Sequence, residues 1–259
     1  MLDSYESFKQ SIYGMTKIDL NAYKERQMKR RIEALITKHG IHSYSDYVTK
    51  LKTDKAAFDE FINYITINVS EFYRNPEQWV LLEKEVFPYL LEHFGKDLKV
   101  WSAACSTGDE PYSLAMLLSK FVPMSRIKIT ATDIDRTVME KAKAGFYNVK
   151  SLKALPQEFV DKYFIKVNDK TYQITDQVKH CVEFKQHDLL KDPYPANCDM
   201  IVCRNVLIYF TDEAKNKIYS DFHKALKKDG LLFVGSTEQI IQAQQIGFGN
   251  FKSFFYKKV

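Results

Sequence analysis

Apolar positions in the first 75 residues recur at helical spacing and never settle into the two-residue alternation of a strand. From Ile18 to His39 the stripe is Met28, Ile32, Leu35 and Ile36, with Gly40 as a C-terminal stop. Ser43 stands as the N-cap of a second helix that runs past Leu51. A third stripe, Phe58, Phe61, Ile62 and Ile65, begins at Ala56. Asn75-Pro76 then pairs a cap with a proline at the first helical position. The pattern predicts one helix from Pro76 to about Phe94, ended by Gly95.

From Leu98 the rhythm changes. Short β-rich runs (98–103, 127–132, 182–185, 200–203 and 231–235) alternate with helical segments at about 110–121, 137–144 and 212–228. Strand-helix alternation of this kind predicts a doubly wound α/β sheet, which binds ligands at the carboxyl ends of its strands. Tyr163–Val167 and Thr171–Ile174 flank the turn Asn168-Asp-Lys and read as a small β insertion, at about 163–183. The aromatic run 249–258 reads as one last strand, antiparallel at the sheet edge. Residues 1–75 form an expected helical domain and 76–259 an expected α/β domain.

The 259 residues are 45% hydrophobic and 27% charged, which excludes global disorder and fibrous repeats. A net charge of +5 is too thin for a general nucleic-acid coat and matters only where it is concentrated. The four cysteines, Cys105, Cys181, Cys198 and Cys203, make no CxxC pair and point to a reducing compartment. His39 and His42 have no acidic or thiol partner at ligand spacing, so no metal is expected. The opening MLDSYESFKQ carries Asp3 and Glu6 where a leader would carry an apolar core. No apolar run approaches the ~18 residues of a membrane span. The expectation is a soluble cytoplasmic protein without membrane insertion.

Chemistry should sit in the strand-to-helix loops. The first, Trp101-Ser-Ala-Ala-Cys-Ser-Thr-Gly-Asp-Glu, is dense in small residues that let a backbone approach a cofactor. It lacks both GxGxxG and the Walker pattern, and Asp109 and Glu110 oppose a pyrophosphate at the helix start. They suit a cationic or hydroxyl-bearing ligand, or serve simply as first-turn helix residues. Asp133, with Asp135 as its competitor, ends the second strand where a carboxylate grips ribose hydroxyls. An adenosine ligand without a pyrophosphate follows, and S-adenosylmethionine (SAM) fits best. Asp188 is placed to accept from an adenine amino group, with Leu189 packing on the ring. Asn205 faces the reacting centre, and Tyr209 lies one helical turn on.

WSAACSTGDEPYSLA (101–115), ATDID (131–135), CRNVLIYF (203–210) and DGLLFVGSTE (229–238) resemble the chemotaxis receptor glutamate methyltransferases of the CheR type. NVSEFYR (68–74) is similar to that family's interdomain segment, and the blocks fall in the family's order over nearly the whole chain. The resemblance implies a SAM-dependent methyltransferase fold and an enzyme that forms γ-glutamyl methyl esters on the cytoplasmic helices of chemoreceptors, releasing S-adenosylhomocysteine. Carried over by position, it implies SAM contacts at Asn68, Ser70, Arg74, Glu110, Asp133, Asp188, Leu189, Asn205 and Val206. The short, glycine-free turn of the β insertion departs from members that dock on a receptor's tether peptide, so tether binding is not expected.

Methyl transfer from a sulfonium to a carboxylate is an in-line displacement. Glutamate, with a reference pKa of ~4.3, is already ionised at neutral pH and needs no general base. Arg74 and Tyr209 are the catalytic candidates; Arg74 is suited either to the methionyl carboxylate of SAM or to the substrate glutamate. Lys24–Arg31 holds five basic residues and one acid. On a helix Arg26, Lys29 and Arg30 share an arc of roughly 100° that suits an acidic helical partner. The plain alternative is a solvated face with Lys29 paired to Glu33. A nucleic-acid methyltransferase would share the fold, but no Asn/Asp-Pro-Pro-aromatic loop follows the fourth strand. A non-enzymatic receptor-binding module is the rival of another class.

Overall fold

The computed structural model describes residues 4–259; Met1, Leu2 and Asp3, whose acidic character entered the leader argument, lie outside the described residues. The chain forms two compact units, one of the residues up to Asn68 with Val206–Lys217, the other of Val69–Asn205 with Ile218–Val259.

The first unit is built on α1 (Tyr5–Thr16), α2 (Glu25–Lys38), α3 (Tyr44–Thr53) and α4 (Lys55–Thr66). Ser4, Ser43 and Asp54 cap α1, α3 and α4 by accepting from Ser7, Asp46 and Ala57 N–H groups, each cap contributing ~1 kcal/mol. Phe8, Tyr47 and Phe61 meet edge-on or tilted in the core with Ile12 and Ile32. The helix expected from Ile18 starts only at Glu25, after a single 3₁₀ turn at Leu20–Ala22. Extended Tyr23 interrupts it because it forms an antiparallel bridge with Phe210 and stacks on that ring at 4.6 Å. Lys24 N–H donates to the Tyr209 carbonyl (2.8 Å) and Thr211 N–H to that of Ala22 (2.9 Å).

The boundary falls at Asn68/Val69 rather than after residue 75, because Phe72 and Tyr73 are buried in the α/β core, Tyr73 stacked on Trp79. The second unit opens with α5 (Pro76–Leu81), a wide π turn over Leu82–Val86 and α6 (Phe87–Phe94). The expected single helix is thus widened midway: Pro88 has no N–H for the Lys84 carbonyl, and the wide turn keeps its ring off that oxygen. Then follow β1 (Lys99–Ala103), α7 (Asp109–Leu118), β2 (Lys128–Asp133), α8 (Arg136–Ala144) and β3 (Phe146–Asn148). Next come α9 (Gln157–Tyr163), β4 (Phe164–Lys166), β5 (Thr171–Ile174), α10 (Asp176–Lys179), β6 (Val182–Gln186) and β7 (Cys198–Cys203). The chain closes with α11 (Asp212–Ala225, in this unit from Ile218 on), β8 (Leu226–Val234), α12 (Ala243–Ile246), β9 (Phe248–Lys252) and β10 (Phe255–Lys258).

The main sheet has the order β6-β2-β1-β7-β8-β10-β9; the first five strands are parallel and the last two antiparallel. All six residues of β7 are buried, as expected of a central parallel strand covered on both faces. Strand order reverses between β1 and β7, which sets the ligand crevice beyond their carboxyl ends. Two details differ from the sequence reading. The closing aromatic run is a hairpin turned at Phe254 (φ 66°), so β10 lies inside the sheet and β9 forms its edge. The insertion has three strands in the order β3-β5-β4, and its first strand precedes residue 163.

The cysteines are free, buried thiols, and burial pushes each up, Cys181 and Cys198 to about 11, so they pack as inert apolar groups. Among the described residues no helix is long and apolar enough to cross a membrane, and no group of three or more His, Cys, Asp or Glu is arranged to hold a metal.

Candidate active site

Three loops meet at the switch point. After β1 the chain needs left-handed backbone at Ala104 (φ 63°), Ser106 (φ 48°) and Gly108 (φ 86°). A Cβ at Gly108 would lie 2.8 Å from the Cβ of Ala142, so only glycine fits where this loop enters α7. After β7, Asn205 is also left-handed (φ 60°). Backbone strain gathered at the crevice is the usual mark of a functional site.

Hydrogen bonds lock these loops together. Asp133, at the end of β2, accepts from Ser106 N–H (2.8 Å) through one carboxylate oxygen and from Asp135 N–H (3.0 Å) through the other. Burial outweighs those donors and pushes its carboxyl up to about 6. Each oxygen keeps a second lone pair, so the carboxylate can still accept from hydroxyls. Asp135, the competitor, is buried and caps α8 through Thr137 N–H.

Glu110 in the first turn of α7 accepts from Ser102 Oγ (2.8 Å) and faces the Arg204 guanidinium at 3.6 Å. Burial raises its carboxyl, against the pull of Arg204 and Ser102. Asp109 is nearly inaccessible and accepts from the Thr107 hydroxyl at 2.5 Å and from Ser70. It therefore anchors the loop, and Glu110 is the carboxylate that faces the crevice. Arg204 is a hub the sequence reading missed. Its guanidinium donates to the Arg74 carbonyl (2.7 Å), Asn75 Oδ1 (3.2 Å) and Gln78 Oε1 (2.7 Å), and lies 4.7 Å over the Phe233 ring. Glu238 was missed as well. One of its oxygens accepts from Asn205 N–H (2.5 Å) and Gly235 N–H (2.9 Å), pinning Asn205 in its left-handed turn.

Ser70, Arg74, Glu110 and Asn205 line one cleft with Ser106 and Arg204. Arg74 Nη1 donates to the Val69 carbonyl (3.2 Å), which leaves most of its fork available. Asp188 and Leu189 follow β6, where His187 N–H bonds the Asp133 carbonyl (2.9 Å), so they stand beside Asp133 along the same sheet edge. Asp188 Oδ1 accepts from Leu190 N–H, its other oxygen faces Lys191 at 3.6 Å, and Leu189 is buried. Asn68, Val206 and Tyr209 belong to the helical unit, where Asn68 Nδ2 donates to Thr66 Oγ1 (2.8 Å) and Tyr209 is half-buried. In that unit too, Arg26 and Arg30 are exposed on α2, and the Lys29 ammonium lies over the Tyr5 ring. The alternative Lys29–Glu33 pair is not formed, because Glu33 instead accepts from the Tyr44 hydroxyl at 2.7 Å.

A Cβ added at Gly235 would lie 2.6 Å from Glu238 Oε2 and 2.8 Å from Asn205 N. Gly235→Ala must therefore displace Asn205 or its carboxylate anchor. Calorimetric titration with S-adenosylhomocysteine is expected to show affinity reduced at least tenfold, about 1.4 kcal/mol, with Tm changed little.

A parallel-sheet switch point whose loops offer carboxylates and small residues is an α/β ligand crevice suited to a nucleoside that carries hydroxyl and amino groups. Residues 68–254 match the family model "CheR methyltransferase, SAM binding domain" and residues 3–66 match "CheR methyltransferase, all-alpha domain". The chain is 44% identical to the chemotaxis protein methyltransferase of Listeria monocytogenes over 241 residues, covering 93% of this chain and 92% of that protein. To those of Salmonella typhimurium and Borreliella burgdorferi it is 34% and 31% identical, each over 88% of this chain and 81% and 85% of theirs. The chain belongs to the CheR methyltransferase family and is a SAM-dependent methyltransferase. The cleft fits that cofactor, because Asn205 Oδ1 and Ser106 Oγ are buried at the loops without a hydrogen-bond partner among the described residues, beside carboxylates able to accept from an amine or hydroxyl.

Proposed function

We propose that this enzyme methylates glutamate carboxylates on the acidic cytoplasmic helices of chemoreceptors. SAM, when bound, supplies a sulfonium methyl whose bonding electrons stay with sulfur as the methyl leaves. The observation that carries the reading is the set of groups lining the cleft: the Glu71 and Glu110 carboxylates and the Arg74 and Arg204 guanidinium groups, with Cys105 held as a thiol and no histidine among the described residues of the lining. A carboxylate nucleophile is ionised at neutral pH and needs none. What the protein must supply is alignment, on the order of 7–11 kcal/mol of the barrier.

In this reading Glu110 accepts from the cofactor's amino group and Asp133 from its ribose hydroxyls. Asp188 and Leu189 hold the adenine, Ser70 and Asn205 serve the cofactor from the cleft of the α/β unit, and the family resemblance adds Asn68 and Val206 as cofactor contacts. Arg74 holds a carboxylate through its fork, and Tyr209 orients the accepting oxygen. Arg74→Ala and Tyr209→Phe should each cut methyl transfer sharply with the fold intact.

The helical unit carries substrate docking on α2. Arg26, Lys29 and Arg30, none of them in an ion pair among the described residues, present the positive face that a glutamate-bearing helix complements. Reversing all three to glutamate is expected to raise the KM for receptor at least tenfold and flatten its salt dependence, while SAM affinity stays within twofold. Equal salt dependence in the two proteins would place docking elsewhere. The activity is tested by incubating labelled SAM with a purified receptor cytoplasmic fragment and measuring volatile methanol released by mild base.

A further inference from the structure

The inner face of the β3-β5-β4 insertion carries the buried Tyr147, Phe164 and Ile174. On its outer face the register sets Phe146 opposite Gln173 and Gln173 opposite Ile165, and residues directly opposite on antiparallel strands share a face. Val167, two residues past Ile165, continues that face. Phe146, Ile165 and Val167 are 52%, 58% and 50% exposed, so large apolar side chains stand in open solvent on β3 and on β4 with its turn, flanking Gln173 of the central strand. Surface apolar residues are normally scattered singly; three on one small sheet mark a contact face.

Lysines frame it. Between residues 141 and 180 there are eight lysines against four carboxylates and no arginine. Lys150, Lys153, Lys162 and Lys170 are exposed and make no ion pair among the described residues. With the net +4 of Lys24–Arg31, this second surplus leaves the remainder of the chain net negative.

We propose that this outer face docks on an anionic phospholipid surface, the apolar side chains entering the headgroup layer while the lysines meet lipid phosphates. Exposed apolar side chains supply partitioning, and unpaired lysines select anionic over neutral lipid; reversible peripheral binding needs both. A peptide that added a strand would engage the main-chain edge of β4 and leave this face bare. The use of such docking, holding the enzyme among membrane-borne substrates, rests on the receptor reading above; the surface itself does not.

The test is co-sedimentation of the full chain with vesicles of phosphatidylcholine alone or mixed with phosphatidylglycerol. The expected result is binding to the anionic vesicles at least tenfold tighter than to neutral ones and weakened by salt. The F146D/I165D variant and, separately, K150E/K170E should each lose tenfold or more. Both should keep wild-type Tm, SAM affinity and methylation of a soluble receptor fragment, so a failure of docking is distinguishable from a failure of the functional reading. Absent or equal binding to the two vesicle types overturns the proposal. So does unchanged vesicle binding by both variants, including the case where they lose only receptor-bearing membranes, which would assign the face to a protein partner.

Discussion

Arg204→Met is expected to destabilise the protein by ~3–5 kcal/mol and to lower methyl transfer more than a hundredfold. The methionine keeps much of the stem that packs near Phe233 but removes every donor. Glu110 is then left buried with the Ser102 hydroxyl as its hydrogen-bond donor, and losing one member of a buried pair costs that much. The carbonyl of Arg74 and the side chains of Asn75 and Gln78 lose their shared donor at the same time, so the segment carrying Arg74 loses its anchor. The pH dependence has a definite sign. Burial already raises the Glu110 carboxyl, and without Arg204 it rises further. A carboxyl with a raised folded value adds stability at acidic pH that is lost as pH rises through that value. The deficit of the variant should therefore be smallest in acid and grow toward neutral pH. Urea denaturation at several pH values reads both quantities. Arg204→Lys should recover part of the stability, and less of the activity, because one ammonium cannot span the same acceptors.

Asp133→Asn is expected to weaken SAM affinity about a hundredfold, ~2.7 kcal/mol. Asp133 accepts backbone N–H bonds on both oxygens, whereas an asparagine in either orientation sets its own NH₂ against one of those donors. Ser106 is then freed from its strained turn, and in the proposed reading the ribose loses an ionised acceptor. Because burial raises the Asp133 carboxyl to about 6, wild-type affinity should fall as pH drops through that value, and the variant's should stay flat. Stability moves the other way: the folded value lies above the unfolded ~3.9, so the stabilising contribution of this group is present in acid and lost as pH rises through about 6. Titration with S-adenosylhomocysteine at pH values on both sides of 6 separates the two effects.

Much of this was legible in the sequence because it is written in local pattern. Met28, Ile32, Leu35 and Ile36 declare α2, and all four are buried. The small residues from Ser102 to Gly108 declare the tight loop between β1 and α7, left-handed at Ala104, Ser106 and Gly108, and Asp133 lies at the tip of β2 as its spacing required. What escaped depends on distant pairing. Glu238 reaches Asn205 across 33 residues, and Arg204 reaches Gln78 across 126, so neither role leaves a trace in its own neighbourhood. Tyr23 breaks a good helical pattern for one bridge to Phe210. β3 is three residues long, too short for alternation to register, and the turn at Phe254 places a bulky residue at positive φ where sequence rules look for glycine or asparagine.

The central claim, ester formation on receptor glutamates, is tested most directly by locating the transferred methyl. A purified receptor cytoplasmic fragment is incubated with the enzyme and labelled SAM, digested, and mapped by mass spectrometry before and after mild base. The label is expected on glutamate side chains of helical peptides, to vanish with base treatment, and to fall sharply with Arg74→Ala. Base-stable label, label on nitrogen, or transfer to nucleic acid in preference to the fragment would contradict it.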